Sequence, residues 1–307
     1  MKIALILPDR PTEVWKDSLL KIDPQLQVDV FPNLKEYHEY STAIVWKHPV
    51  GLLNKFPNLK LICSLGAGVD HILRDPQLPN VPITRVVDSS LTTAMSNYVI
   101  MGVLNNQRQM YRIWENQKIK RWEKVQPNVN SKNIGILGLG ELGKDAALKL
   151  HHLGFRVHAY AQSPKKIEGI STYSGEDGLA QMLKAVHVVV CLLPLTSKTK
   201  NLLDTKFFAL LNKGTYLINV ARGELIVENN LLTALGNGTL SGALLDVFRE
   251  DPLPDTHPFW SAPGVQISPH IASITNPETA ARQMVFNHYC AIKGDRLTHQ
   301  IDPHKEY

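Results

Sequence analysis

Short apolar runs alternate along this chain with segments whose apolar residues recur at helical spacing. Lys2–Leu7, Ala43–Trp46, Leu59–Leu65 and Ile83–Val87 have the length and composition of buried strands. Thr92–Trp122 follows without proline and with only Gly102, which predicts one or two helices. After a break at Pro127–Lys132, a second series begins. Strands are expected over Ile134–Leu137, Phe155–Tyr160, Val186–Leu192, Thr215–Asn219, Gly242–Asp246 and Val265–Ser268. Helices are expected between most of them, over Leu142–Leu153, Gly178–Lys184, Asp204–Leu211 and Glu228–Gly236. A final helix, Pro277–Ile292, leads into a polar tail. This alternation predicts an α/β protein with doubly wound parallel sheets covered by helices on both faces.

With 307 residues the chain has room for two domains of ordinary size. Its 44% hydrophobic and 20% charged content fits a globular protein rather than a disordered one. The net charge is +5, but the basic residues are dispersed. The densest group, Lys118, Lys120, Arg121 and Lys124, is interrupted by Trp122 and Glu123 and reads as a solvated helix face, so no nucleic-acid partner is expected. Cys63, Cys191 and Cys290 lie far apart with no zinc-type spacing, which points to buried thiols in a reducing compartment and to no metal. The opening MKIALILPD is interrupted too soon by Pro8 and Asp9 to be a signal peptide, and no apolar run approaches a membrane span. A cytoplasmic protein with no membrane partner is the expectation.

Gly138-Leu139-Gly140-Glu141-Leu142-Gly143 is a G-x-G-x-x-G motif. It follows one expected strand and opens one expected helix, which is the context a dinucleotide-binding turn requires. Gly138 permits the tight turn, Gly140 lets the backbone approach a pyrophosphate, and Gly143 lets helix and strand pack closely. The helix N-terminus then offers N–H groups and the positive end of its dipole to phosphates. A glycine-rich turn with no ligand is the plainer alternative.

The end of the next strand bears on which dinucleotide is bound. An acidic residue there would hold the ribose 2′-hydroxyl of NAD. This chain has Ala161, Gln162, Ser163, Pro164, Lys165 and Lys166 instead. A hydroxyl and cations suit a 2′-phosphate, so NADP is preferred and NAD is possible. The alternative is that both lysines are merely solvated in a turn.

Three residues with chemistry follow expected strands. Arg222 lies in LINVARGE, Asp251 in DVFREDPLP and His270 in SPHIAS. Ligands of doubly wound sheets sit outside the carboxyl ends of strands, so the three can converge. Arginine presents a fixed cation and a planar fork of donors to a carboxylate. Histidine can deliver a proton to a ketone oxygen as a hydride reaches carbon, and a neighbouring carboxylate orients the imidazole and favours its charged form. Together they suit hydride transfer to a 2-keto acid. Taken singly, each has an ordinary explanation: a solvated arginine, a surface acid before Pro252, one histidine among twelve.

These motifs, with LLPLTSKTKNLLD (Leu192–Asp204) and NVARGELI (Asn219–Ile226), resemble the D-isomer-specific 2-hydroxyacid dehydrogenase family over roughly the whole second unit. SLGAGVDHIL (Ser64–Leu73), IVWKHP (Ile44–Pro49) and the ending GDRLTHQIDPHKEY resemble its glyoxylate/hydroxypyruvate reductase A branch. The resemblance implies two Rossmann-like domains with a cleft between them. The substrate domain would comprise residues 1–97 plus 276–307, and the dinucleotide-binding domain residues 98–275. It implies that Arg222 binds the carboxylate and polarises the carbonyl, and that His270 is the acid/base. Asp251 would be the partner of His270. Trp46, Ala67 and Gly68 would line the substrate site. Leu142, Leu193, Pro194, Thr199, Val220 and Ala221 would join the glycines, Gln162, Ser163 and Lys165 around the cofactor, with Asp246 meeting the nicotinamide amide. Family members are usually dimers that grip through a long helical arm, here about Thr93–Trp122.

One departure stands out. The family usually has Glu where this chain has Asp251. The side chain is one methylene shorter, so its contact with His270 is expected to be long, shifted or water-bridged. The reading is therefore a reductase of glyoxylate and hydroxypyruvate. Its rivals are an NAD-dependent dehydrogenase of the D-lactate type and a dinucleotide-sensing, corepressor-like binding protein, since some relatives act as transcriptional corepressors.

Overall fold

A computed structural model describes residues 1–307. The helices are α1 (Glu13–Ile22), α2 (Asp70–Leu73), α3 (Ser89–Arg108), α4 (Met110–Lys118), α5 (Glu141–His152), α6 (Gly175–Ala185), α7 (Thr205–Ala209), α8 (Glu228–Gly236) and α9 (Pro277–Lys293). The first five strands are β1 (Lys2–Ile6), β2 (Val28–Val30), β3 (Tyr40–Val45), β4 (Leu61–Ser64) and β5 (Ile83–Thr84). The other seven are β6 (Asn133–Leu137), β7 (Arg156–Tyr160), β8 (Ser171–Tyr173), β9 (Val188–Cys191), β10 (Thr215–Asn219), β11 (Leu240–Leu245) and β12 (Val265–Ile267). The chain forms two compact units, Met1–Leu91 with Thr275–Tyr307, and Thr92–Ile274.

The first unit carries a parallel sheet in the order β2-β1-β3-β4-β5. Its strands are buried at nearly every position because both faces are covered. Ile3 and Leu5 pack with Trp15 and Leu19 of α1 and Ala281 and Met284 of α9. Ala4 and Ile6 face the other way, towards Leu53, Phe56 and Ile72. The end of the chain completes this unit, with Ile301 N–H donating to the Ile83 carbonyl at 2.9 Å.

The second unit holds a parallel seven-stranded sheet, β12-β11-β10-β9-β6-β7-β8. Alternate residues serve opposite faces: Val189, Cys191, Leu217 and Leu245 lie in one core, and Val188, Val190, Ile218 and Leu244 in the other. Strand order reverses between β6 and β9, so the carboxyl ends of these two strands open the crevice where a doubly wound sheet takes its ligand.

Strands β2 and β8 and helices α1 and α2 lie outside the periodic pattern read from the sequence. Strands β2 and β8 have three residues each and lie at sheet edges, too short for a period to register. Helix α1 is short, with Trp15, Ser18 and Leu19 buried at helical spacing. The long helical segment starts earlier, at Ser89, and is broken at Gln109, whose φ is +54°. Because α4 ends at Lys118, Lys120, Arg121 and Lys124 are not on a helix face. Lys118 pairs with Glu115 at 2.7 Å and Arg121 with Glu123 at 3.9 Å. No helix is long and apolar enough to cross a membrane.

Candidate active site

The glycine loop joins β6 to α5 at the reversal point of the second sheet. Gly138 has φ +99°, and a Cβ there would lie 2.7 Å from the Leu192 carbonyl oxygen, so only glycine fits. A Cβ on Gly143 would overlap the Gly138 carbonyl, which explains the close seat of the helix on the turn. Around Gly140, by contrast, a Cβ direction meets nothing within 4 Å. The start of α5, a helix of 12 residues, leaves backbone N–H groups without intrahelical partners beside that open space. Glycine geometry and helix start together fit a bound pyrophosphate.

The loops after the neighbouring strands are fixed by their own polar groups. Beyond β9, the Thr199 hydroxyl donates to the Pro194 carbonyl at 2.6 Å and accepts from Thr196 N–H at 2.8 Å, while Leu193 is buried. Beyond β7, Gln162, Ser163 and Lys165 are exposed. Lys165 reaches back to the glycine loop, donating from Nζ to the Leu139 carbonyl at 2.6 Å. One cation thus links the loop after β7 to the glycine turn.

Arg222 follows β10. Asn219, fully buried, holds that turn: its Oδ1 accepts from Ala221 N–H at 3.2 Å and its Nδ2 donates to the Arg222 carbonyl at 2.9 Å. Val220 and Ala221 are buried beneath it. Arg222 Nη1 donates to the Ala221 carbonyl at 2.7 Å. A Cβ on Gly223 would overlap the Phe248 backbone, so this residue must be glycine for the Arg222 turn to press against the loop after β11. Arg249 ties the same loops, donating from Nε to the Ile226 carbonyl at 2.8 Å.

That contact brings Asp251 to His270. Asp251 Oδ2 lies 3.0 Å from His270 Nδ1, a direct hydrogen bond rather than the long or bridged contact expected of the shorter acid. Gly223 and Arg249 hold the segment that carries this acid, through the close approach to Phe248 and the bond to the Ile226 carbonyl. With Nδ1–H donated to Asp251, Nε2 is the ring nitrogen left to exchange a proton with a ligand. Glu250 is exposed and not part of the pair.

Asp246, at the end of β11, is 1% exposed. Its Oδ1 accepts from Ser268 Oγ at 2.6 Å and Ile271 N–H at 2.8 Å, and its Oδ2 accepts from Ala272 N–H at 2.8 Å. Ser268 also bonds the Tyr98 hydroxyl of α3. Tyr98 does not stand out in the sequence, and Ser268 enters it only as the first residue of SPHIAS, with no role of its own.

In the first unit, Trp46 follows β3 and is 8% exposed. The Arg10 guanidinium lies over its ring at 4.4 Å, and a Cβ on Gly66 would lie 3.2 Å from its edge. Ser64 shapes the adjoining turn, donating to the Gly68 carbonyl at 2.7 Å and accepting from Gly66 N–H at 3.3 Å. Ala67 and Gly68 are half-buried there.

Comparison with known proteins fits this arrangement. The family model for the NAD-binding domain of D-isomer specific 2-hydroxyacid dehydrogenases matches residues 100–272. The chain belongs to the D-isomer specific 2-hydroxyacid dehydrogenase family. A glyoxylate/hydroxypyruvate reductase A from Yersinia enterocolitica is 41% identical to it over 80% of each chain. The protein of that name from Serratia proteamaculans is 39% identical over 94% of each. Among solved structures, a D-isomer specific 2-hydroxyacid dehydrogenase from Xanthobacter autotrophicus, in complex with NADPH and MES, superposes with a TM-score of 0.95. It shares 36% identity over 100% of this chain and 99% of its own. An NADPH-dependent glyoxylate/hydroxypyruvate reductase from Sinorhizobium meliloti, in complex with NADP and sulfate, gives a TM-score of 0.93 and 34% identity over 100% and 99%. The dehydrogenase is therefore an α/β oxidoreductase of two parallel-sheet units.

Proposed function

We propose that this dehydrogenase reduces small 2-keto acids with NADPH, glyoxylate and hydroxypyruvate first, giving glycolate and D-glycerate. The observation that carries this is the His270–Asp251 hydrogen bond at 3.0 Å, made at the carboxyl end of the same sheet that carries the glycine loop and Arg222. When bound, the reduced nicotinamide supplies a hydride. Arg222 holds the substrate carboxylate by its fork of donors and polarises the adjacent carbonyl. His270 gives its Nε2 proton to the ketone oxygen as carbon is reduced, so 2-keto acid, NADPH and a proton become 2-hydroxy acid and NADP. Asp251 holds the imidazole in the tautomer that leaves Nε2 facing outwards. Trp46, Ala67 and Gly68 shape the substrate's surroundings, the last two through backbone N–H groups.

For the cofactor, Gly138, Gly140, Leu142 and Gly143 accommodate the pyrophosphate. Leu193, Pro194, Thr199, Val220 and Ala221 line its path. Asp246 uses three acceptor positions internally and keeps one for the nicotinamide amide. Gln162, Ser163 and Lys165 favour a 2′-phosphate, with NADH the weaker donor. The NADPH and NADP found with similar solved proteins support the same choice.

The protein acts as a homodimer in the cytoplasm. Helices α3 and α4 expose Met101, Leu104, Tyr111 and Trp114, and a 620 Å³ cavity runs beside them along the open edge of β12. A second copy of the chain would cover this apolar surface. Light scattering should give twice the monomer mass.

Glyoxylate, hydroxypyruvate and D-lactate-type substrates, each tested with both cofactors, decide the reading. Rapid NADPH oxidation with the first two is expected. No turnover of any short 2-keto acid overturns the proposal. NADPH binding without turnover would favour the corepressor-like alternative.

A further inference from the structure

His270 adopts φ +56°, a left-handed conformation that is unfavourable for a non-glycine residue. Such a conformation persists only where the surroundings impose it. Here most of them converge on Asp246, while the Ser268 carbonyl also accepts the His270 N–H, at 3.1 Å. The Asp246 carbonyl accepts the His270 N–H at 2.9 Å, and its carboxylate accepts Ile271 N–H and Ala272 N–H, both at 2.8 Å, together with the Ser268 hydroxyl at 2.6 Å. The histidine is thus bracketed on both sides by groups fastened to Asp246.

The direction of the hydrogen-bond chain follows from chemistry. An ionised carboxylate only accepts, so the single Ser268 proton points at Asp246. The Tyr98 hydroxyl, which also touches Ser268 Oγ, must then be the donor in that contact. Burial raises the Tyr98 pKa, which keeps the phenol in the protonated form that donation requires. The sequence of donors is therefore Tyr98 to Ser268 to Asp246, running from helix α3 to the turn that carries His270.

We propose that Tyr98 and Ser268 are positioning residues for His270, acting through Asp246 to hold the imidazole at its working angle. The proposal rests on the assignment of His270 as acid/base. It predicts an effect mainly on the chemical step, because neither hydroxyl is assigned to the ligand and the acceptor position that Asp246 keeps for the nicotinamide amide is not the one Ser268 uses.

Four variants test it: Tyr98→Phe, Ser268→Ala, the double variant, and Ser268→Thr, with the wild type assayed on glyoxylate and hydroxypyruvate. Ser268→Ala should lower kcat about tenfold and Tyr98→Phe somewhat less, with KM for NADPH and for the keto acid changed less than about twofold. The double variant should be no slower than Ser268→Ala alone, since both substitutions break one chain. Ser268→Thr, which keeps the hydroxyl, should recover most of the loss. In carbon-13 histidine spectra, the His270 signal, assigned by its absence in His270→Asn, should move in Ser268→Ala and return towards its native position in Ser268→Thr. This readout does not depend on turnover. Inactive wild-type protein would refute the reductase reading, while the histidine spectra would still judge the positioning role. An active wild type with unchanged kcat in both single variants would overturn the proposal. So would multiplicative losses in the double variant, a rise in KM that accounts for the whole effect, or a His270 signal that does not move.

Discussion

The Asp251 carboxylate accepts directly from Nδ1 of His270 at 3.0 Å, although the acid is one methylene shorter than the glutamate usual in this family. Removing its charge while keeping its shape should therefore matter. Asp251→Asn is expected to fold and to lose about tenfold to a hundredfold in kcat/KM for glyoxylate. Asp251→Glu, which keeps the charge, should lose less. An Asn variant as fast as wild type across the working pH range would remove Asp251 from the mechanism.

Arg222 is expected to be irreplaceable by lysine. A point-like ammonium cannot grip a carboxylate with two parallel donors. Arg222→Lys should lose about a hundredfold in kcat/KM, and Arg222→Ala more, with Tm little changed. The adjoining Gly223→Ala should behave differently. Its Cβ would overlap the Phe248 backbone, so it should cost about 2 kcal/mol or more in denaturant unfolding, and activity should fall with it. An alanine variant of unchanged stability would show that the two loops can separate freely.

Lys165 offers a cofactor test. Its ammonium lies at the glycine loop, bonded to the Leu139 carbonyl at 2.6 Å. Lys165→Ala should raise KM for NADPH about tenfold while leaving KM for NADH within about twofold, because only the former carries the 2′-phosphate. Equal changes for both cofactors would assign the lysine to holding the loop instead.

Stability should respond to His288, which is 1% exposed and bonded through Nδ1 to the Thr42 hydroxyl at 2.8 Å. Burial, aided by the nearby N-terminal charge and opposed by Asp23, lowers its pKa from 6.5 to about 4. As pH falls from about 6.5 to about 4, the unfolded chain binds a proton that the folded one refuses, so stability is lost across that window and is fully present above it. The loss from this one group should reach on the order of 3 kcal/mol. Unfolding midpoints at a series of pH values should show His288→Asn less stable near neutrality but less pH-dependent between these limits. Parallel wild-type and variant curves would contradict the assignment.

Much of the fold could be read from periodicity alone. The runs at Thr215–Asn219 and Glu228–Gly236 form β10 and α8 at those residues, because their apolar spacing is regular and their ends are marked by polar or glycine residues. Val28–Val30 and Ser171–Tyr173 were not legible, since edge strands of three residues take their order from the neighbour they pair with. The glycine loop was legible because its spacing is local, although only Gly143 is required by contacts inside its own strand–turn–helix unit; Gly138 also gives way to the Leu192 backbone beyond β9.

The sequence by itself determined the class of the protein, the turn that suits a dinucleotide, and the presence of a cation, an acid and an imidazole after successive strands. These are properties of short segments, fixed by spacing and side-chain chemistry. Tertiary structure decided how those groups work together. Asp251 reaches His270 because Gly223 lets one loop settle on another, and His270 keeps a left-handed backbone because Asp246, Ser268 and Tyr98 meet around it. These contacts join residues far apart along the chain. Their geometry depends on the register and packing of whole elements, which no single segment encodes.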